Sequence, residues 1–540
     1  YFASKRTHSV AEFMVAGRGL PVWLCSITVI ATWFGGAMML GGAGAAYDQG
    51  MMGVIEDPWG GALALLLIGL FFARLFRRLR VITVVDFMEQ RYGRVAGAAM
   101  MISSLFANIM WAASMLVAFG TIFNALTNVR MEVGILVGAF IIILYTMIGG
   151  MWAVALTDFV QLTIVMAGLL VLFVVVLIDS GGWGQIYPHL DDHTFRMVPF
   201  DNSLDQWLNY LRAWPLIGIV DISAQTLFQR VAAARTERVA QNAFYIGAAG
   251  YLFFGLLAVF LGIIGSVTMP ELANSETIIP ELAKAHLHPV GIAIFVGAVL
   301  AAIMSTGDSV LLASASVIAK NILPYIRRNP SDDLSMLVAR WSIPVCGLVA
   351  ILIAMKIQVV FNLMVDANIL GLAAIIVPLV LGAWWPKANR TGALSSMAVG
   401  ISAWLVTLWL RPEWPADFMG LAASLLAMLI IVPLTTVAWL LVTFLTRPTE
   451  EATLRRFCKR VHPGGPGWTA VLRRAALEGQ PVDEAHQRWN VPREIVCMLI
   501  GCAAVYSALI ATGYWIYGNW LPAFVLTAVA AAAPTGIFLI

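Results

Sequence analysis

Apolar stretches separated by short charged or turn-rich clusters run the length of the chain. A helix needs roughly 18 or more apolar residues to cross the hydrocarbon of a bilayer, and about fourteen stretches reach that length. They are 21–47, 59–76, 96–127, 131–149, 151–179, 207–231, 239–268, 289–321, 335–356, 360–385, 391–410, 417–445, 494–516 and 519–540. The pattern predicts an all-α polytopic membrane protein. The longest polar interval, 446–493, holds nine Lys/Arg and the run Pro463-Gly464-Gly465-Pro466-Gly467. It is too short for a catalytic domain such as a kinase and reads as a basic loop.

Two of the stretches are interrupted. Stretch 21–47 contains Gly35, Gly36, Gly41, Gly42 and Gly44, and glycine costs about 1 kcal/mol relative to alanine inside a helix. Stretch 207–231 has Pro215 and Gly218, followed by the polar run Asp221-Ile222-Ser223-Ala224-Gln225-Thr226. Small residues also permit close helix packing, which is one reading. The other is a helix that unwinds at mid-membrane, which is tolerated only around a protein-lined cavity. The two interruptions fall on the first and sixth stretches. Breaks at corresponding positions of two five-helix halves point to an inverted-repeat transporter with its site at the midplane.

Composition sharpens this picture. Of 540 residues, 60% are hydrophobic and only 12% charged, whereas a soluble protein carries about a quarter charged. The deficit runs along the whole chain, which excludes a soluble enzyme with one anchor. Net charge is +3, too small to imply a nucleic-acid partner. Placing residues 1–20 on the cytoplasmic side gathers most Lys/Arg there, as the positive-inside rule requires. That set includes Arg74, Arg77, Arg78, Arg80, Arg91 and Arg94, then Arg230, Arg235 and Arg238, and the nine of 446–493. Cys25, Cys346, Cys497 and Cys502 lie in apolar stretches and Cys458 in the basic interval, so neither a disulfide framework nor a metal cluster follows. No HExxH pair or nucleotide-binding βαβ pattern is present, which argues against an enzyme. His286 and His288 are expected in a solvated loop, 269–288.

Chemistry concentrates in a few intramembrane positions. Asp158, Asp221 and Asp308 fall well within apolar stretches, and Asp366 sits nearer an end. A charge at the bilayer centre costs about 2.5–3.5 kcal/mol even on lenient scales, so each needs a partner, a proton or a wet cavity. Bracing hydrogen bonds between helices are the structural alternative to a functional site. Asp221 lies in the second interrupted helix. In Ala302-Ile303-Met304-Ser305-Thr306, positions 302, 305 and 306 share one helical face. Three neutral oxygens there, completed by carbonyls of an unwound partner, suit a weakly bound monovalent cation. Mg²⁺ would instead usually demand carboxylates and retained waters. Ser and Thr also bond back to the i−4 carbonyl, which leaves the alternative open.

Four stretches carry a family resemblance. They are Tyr145-Thr146-Met147-Ile148-Gly149-Gly150-Met151-Trp152-Ala153-Val154-Ala155-Leu156-Thr157-Asp158-Phe159-Val160-Gln161, Ala301-Ala302-Ile303-Met304-Ser305-Thr306-Gly307-Asp308-Ser309, Phe228-Gln229-Arg230-Val231 and Ala31-Thr32-Trp33-Phe34-Gly35-Gly36. In this order and spacing the chain resembles the sodium:solute symporter family, whose members include sodium/glucose, proline, pantothenate and high-affinity choline transporters. The likeness covers about residues 1 to 445 and is locally strongest to the choline branch.

The resemblance implies a five-plus-five inverted-repeat core similar to the leucine transporter's, over 19–386. Residues 1–18 would be the cytoplasmic end of a leading helix outside that core. Residues 387–445 would form two accessory helices, 446–493 the basic cytoplasmic loop and 494–540 two further helices. It implies a sodium site built from the carbonyls of Ala31, Phe34 and Ala302 and the hydroxyls of Ser305 and Thr306. Asp158 matches a family aspartate linked to sodium coupling, and Asp308 joins it as a coupling or second-ion candidate. The aromatic cage of the choline branch falls on Ile55 and Ala224, both aliphatic. Trp33, Trp111, Asp221, Ala224 and Gln225 are the candidate solute residues, with helix packing the alternative for the tryptophans.

The implied function is sodium-coupled import, by alternating access, of a small nitrogen-containing solute such as an amino acid, amine or betaine. A transporter-like sensor module is the alternative. The expected location is a bacterial cytoplasmic membrane with the C-terminus inside. The basic interval would meet anionic lipid or a partner, or serve simply to anchor topology.

Overall fold

A computed structural model describes residues 9–199, 204–357, 375–410, 423–461, 466–478 and 520–539, with scattered positions between 496 and 515. No strand occurs among the described residues; a single parallel bridge joins Leu20 to Ala234. The helices run in the order α1 (Val10–Val15), α2 (Val22–Trp33), α3 (Ala43–Gln49), α4 (Gly61–Leu67), α5 (Ala73–Leu79), α6 (Val84–Tyr92), α7 (Arg94–Thr127) and α8 (Met131–Asp179). Then come α9 (Trp183–Ile186), α10 (Leu204–Gly218), α11 (Gln225–Ala233), α12 (Glu237–Thr268), α13 (Ile278–His286), α14 (Pro289–Val317), α15 (Leu323–Ile326) and α16 (Asp332–Lys356). The last are α17 (Val377–Trp384), α18 (Arg390–Leu410), α19 (Ala423–Leu445), α20 (Glu451–Val461), α21 (Pro466–Leu477) and α22 (Trp520–Leu539).

Six stretches among the described residues are long and apolar enough to cross a bilayer: Ala37–Leu79, Arg94–Asn124, Met131–Asp179, Glu237–Thr268, Pro289–Ile326 and Asp332–Lys356. The predicted stretches 131–149 and 151–179 are the two arms of α8, where only Gly150 leaves the helix (φ 54°, ψ −149°). A side chain there would strike the Phe13 carbonyl at 2.4 Å, so glycine is required both by conformation and by the close approach of α1. Residues 1–8, Asp366, Cys497, Cys502 and the Pro463 turn lie outside the described residues, as do most of 360–385 and 494–516 and the first residues of 417–445.

Helix starts follow the sequence. Ser9 and Glu12 form a reciprocal capping box on α1, Thr83 and Asp86 do so on α6, and Thr236 caps α12; each satisfies amide donors that the first turn leaves orphaned. α14 packs against α7 and α8, while α12 packs against α2, α3 and α4. The outer faces of α8 and α16 remain apolar and exposed, with Phe140, Val171 and Leu352 at 67%, 54% and 59%. A face of that kind is what lipid covers.

Three expectations are corrected. The 446–493 interval is not simply a loop, because α20 and α21 pack on each other and bury Phe457, Cys458 and Trp468. Arg91 belongs to this layer rather than to a solvated rim. It is 1% exposed and donates to the carbonyls of Gly382 at 2.9 Å and Ala388 at 3.0 Å. Its guanidinium carbon lies 5.7 Å from the ring centres of both Phe457 and Trp468. In the 269–288 segment, residues 278–286 are helical, and His286 Nδ1 sits 3.0 Å from an Asp179 carboxylate oxygen.

Candidate functional site

The first break falls at Phe34–Gly35. α2 runs regularly to Trp33, and Phe34 then turns out of the helix (φ −74°, ψ 74°). The Gly35 amide donates to the Trp33 carbonyl at 2.7 Å instead of to Ala31, four residues back. Ala31 therefore loses its helical donor. Its carbonyl instead accepts from the Ser305 hydroxyl at 3.4 Å, on α14. The chain re-enters helix at Gly36 and continues through a wider π-helical segment, Ala37–Gly42. The second break lies between α10 and α11, where a short turn, Val220–Ser223, leads to extended Ala224 (φ −64°, ψ 123°).

α14 meets the first break at close quarters. A methyl group built on Gly35 would lie 2.5 Å from Thr306 Oγ1 and 3.4 Å from the Ala302 carbonyl oxygen. The backbone at 31–35 and the 302–306 face thus border one cleft, as the i, i+3, i+4 spacing predicts. Ser305 and Thr306 are 1% and 2% exposed, and the Thr306 hydroxyl has no protein partner. Buried hydroxyls are almost always satisfied, so the open Thr306 hydroxyl, facing the backbone at Gly35, marks a point where a further partner fits.

Asp158 lies behind this cleft, fully buried on α8. Its two oxygens accept from Thr28 on α2 and from Ser305 on α14, so one carboxylate joins three helices. Arg230, also fully buried, approaches it to 3.7 Å and donates to Ser309. Arg230 is therefore not a loop cation marking the cytoplasmic side, as its place near the end of a stretch suggests. Asp308 accepts from Tyr145 at 2.6 Å and from Ser309 at 3.1 Å. Arg230 thus faces Asp158 directly and reaches Asp308 through Ser309.

All five candidate solute residues border one cavity. Trp33, Trp111, Asp221, Ala224 and Gln225 line a space of about 60 Å³, together with Ser104 and Asn108 from α7. That volume holds on the order of four to six water positions. Asp221 is 5% exposed, and its Oδ2 has no protein partner. Gln225 faces a structural duty as well, since its side-chain oxygen accepts from the Val84 amide at 2.8 Å. Asp308 does not border the cavity. Ile55 lines a separate space of about 840 Å³, so the two positions matched to the choline-branch cage do not face one pocket.

Several site residues escape a reading of the sequence. Thr28 carries no motif that sets it apart from back-bonding or packing residues, and Tyr145 opens a family stretch in which nothing marks its hydroxyl as a partner of Asp308. Asp57 falls between predicted stretches, yet it receives the Tyr251 hydroxyl at 2.6 Å, and the Tyr251 ring meets Trp33 and Phe34 edge-on at 6.0 and 6.1 Å. The Phe228-Gln229-Arg230 run, buried in the helix α11, was the available signal for Arg230.

Comparison with known proteins places this geometry. The family model for the sodium:solute symporter family matches residues 13–400. The chain is 29% identical to the high affinity choline transporter 1 of Homo sapiens over 420 residues, covering 74% of this chain and 70% of that protein. It is 27% identical to the osmoregulated proline transporter OpuE of Bacillus subtilis, covering 85% and 94%. Its fold is similar to the solved substrate-bound, outward-open structure of a Na⁺-coupled sialic acid symporter, with a TM-score of 0.70, 19% identity, and 83% and 95% coverage. Matched across most of its length and folded as an inverted-repeat helical transporter, this chain belongs to the sodium:solute symporter family, membrane proteins that couple solute import to sodium.

Proposed function

We propose that sodium binds between the break in α2 and the middle of α14. The carbonyls of Ala31, Phe34 and Ala302 and the hydroxyls of Ser305 and Thr306 would hold it, and the solute would occupy the adjoining cavity. The observation that carries this assignment is the unpartnered Thr306 hydroxyl facing the break. The donor set is neutral, which fits a weakly held alkali cation that must later leave and does not fit Mg²⁺.

Coupling follows from what each ligand orders. Sodium pins the backbone of 31–35 against α14, and Trp33, in the same segment, borders the solute cavity. A solute arriving at a segment already ordered loses less conformational freedom on binding, and linkage makes the effect mutual. Asp158 accepts from Ser305, so a change at the cation site reaches α8 and α2 through one carboxylate. Rocking of one helix set against the other then exposes the site to each side in turn. An inside-negative potential contributes about 2.3 kcal/mol per charge per 100 mV toward inward release.

The solute is a small organic molecule containing nitrogen, consistent with relatives that carry choline and proline. The core spans 19–386, with accessory helices in 387–445, the basic segment at 446–493 and two more helices in 494–540. The Lys/Arg distribution supports insertion in a bacterial cytoplasmic membrane with the C-terminus inside. Uptake by proteoliposomes tests the site: Ser305→Ala with Thr306→Ala abolishes sodium stimulation while the protein still inserts. Uptake that survives with unchanged sodium dependence refutes it.

A further inference from the structure

We infer that the cavity beside the α2 break selects a compact organic cation carrying at least one N–H donor, with Asp221 as its acceptor and Asp57 setting the negative field behind it. This rests on the assignment of that cavity to the solute and narrows the substrate class. The first observation is the vacant acceptor. Asp221 Oδ2 is buried, unpartnered and on the cavity wall. A buried acceptor left open carries its full desolvation cost, which a polar hydrogen of a ligand displacing the cavity water relieves.

Charge supplies the second observation. Among the described residues no lysine, arginine or histidine lines the cavity, while the Asp57 carboxylate sits behind its wall, bonded to Tyr251, whose ring meets Trp33. Arg230, a fully buried guanidinium on the same helix as Gln225, is committed to Asp158 and Ser309. A ligand cation answers Asp221 directly, whereas the carboxylate of a zwitterion finds on the wall only neutral donors such as the Asn108 amide, with sodium in the neighbouring cleft. Asp57 is fixed by the Tyr251 hydroxyl, whose ring packs on Trp33 and Phe34, so the carboxylate is held against the segment proposed to bind sodium.

Chemistry separates this class from fully methylated amines. A quaternary ammonium has no N–H to give Asp221 Oδ2 and is best recognised by aromatic faces. Trp33 and Trp111 border the cavity and Ala224 supplies only a methyl group, so discrimination against the last methyl falls on Asp221, which needs an N–H. The space is small, about 60 Å³, which favours compact amines.

A graded methylation series tests the inference on the full chain in proteoliposomes. Ethanolamine, N-methylethanolamine, N,N-dimethylethanolamine and choline are applied under a sodium gradient, with glycine and proline as zwitterions, and electrogenic current is recorded. The three amines with an N–H give sodium-dependent current, and half-saturation worsens at least about tenfold at the last methyl. Asp221→Asn raises amine half-saturation by at least about tenfold while ²²Na⁺ binding persists, and Asp57→Asn raises it by a smaller factor. Choline or a zwitterion performing as well as dimethylethanolamine overturns the inference. So does absence of current from every amine, or amine currents unchanged in both variants. Wild-type protein that fails to bind ²²Na⁺ overturns the symport site instead, which keeps the two failures apart.

Discussion

Gly35→Ala is the most economical perturbation of the cation cleft. It adds one carbon and leaves every proposed ligand in the sequence. The new methyl would lie 2.5 Å from Thr306 Oγ1 and 3.4 Å from the Ala302 carbonyl oxygen, so the first contact is almost an ångström inside ordinary packing distance. Overpacking of this kind costs about 1–3 kcal/mol, relieved only by rotating Thr306 away or by parting α2 from α14. Either response removes a proposed sodium ligand. If that cost falls on the sodium-bound form, half-saturation by sodium rises between about fivefold and 150-fold, at tenfold per 1.4 kcal/mol. Gly41→Ala is the matched control, because a methyl there meets nothing within 4 Å. The assay is initial uptake across a sodium series for both variants at equal reconstituted protein. Gly35→Ala and Gly41→Ala agreeing within about twofold, well under the 1.4 kcal/mol of a tenfold change, would refute a cation held in this cleft.

Two further outcomes follow from the buried charges and the outer layer. Arg230→Met leaves Asp158 without the cation 3.7 Å away and is expected to destabilise the protein by about 3–5 kcal/mol. The fall is read as a lowered unfolding midpoint in detergent, and adding Asp158→Asn recovers part of it; a double variant no better than additive would contradict the pairing. Burial pushes the Cys458 thiol up to about 12, and the residue is 1% exposed, so maleimide labelling at neutral pH is expected to be slow, since the thiolate is the reactive form. Rapid labelling of Cys458 in the folded protein would show that α20 does not stay packed.

The broad architecture was legible because bilayer physics imposes long apolar helices and makes exceptions expensive. Gly35-Gly36 marked the first break, and the 302, 305, 306 spacing marked the face that meets it. Asp158 and Asp221 stood out because a carboxylate in an apolar stretch demands compensation. Arg230 did not stand out, since an arginine near the end of a stretch looks the same whether it faces headgroups or a buried aspartate. Asp57 was hidden by its position between stretches, where a carboxylate looks solvated until the neighbouring helices are folded around it. The helices α20 and α21 were read as loop because their apolar positions are few and interspersed with arginine. Arg91 with its carbonyl partners, Phe87 edge-on to Phe457, and the neighbouring α5 give those positions something to cover.

That arginine has an evolutionary consequence. Arg91 is gripped on one side by backbone oxygens of 382–388 and on the other by the π-faces of Phe457 and Trp468, and the second grip lies past residue 400, where the family match stops. The downstream segment is thus a keystone on the family-matched frame instead of a pendant. Across homologues, position 91 should drift in step with 457 and 468: lineages that shed both rings are expected to trade the guanidinium for a neutral side chain, and chimaeras that mix the two states should assemble poorly.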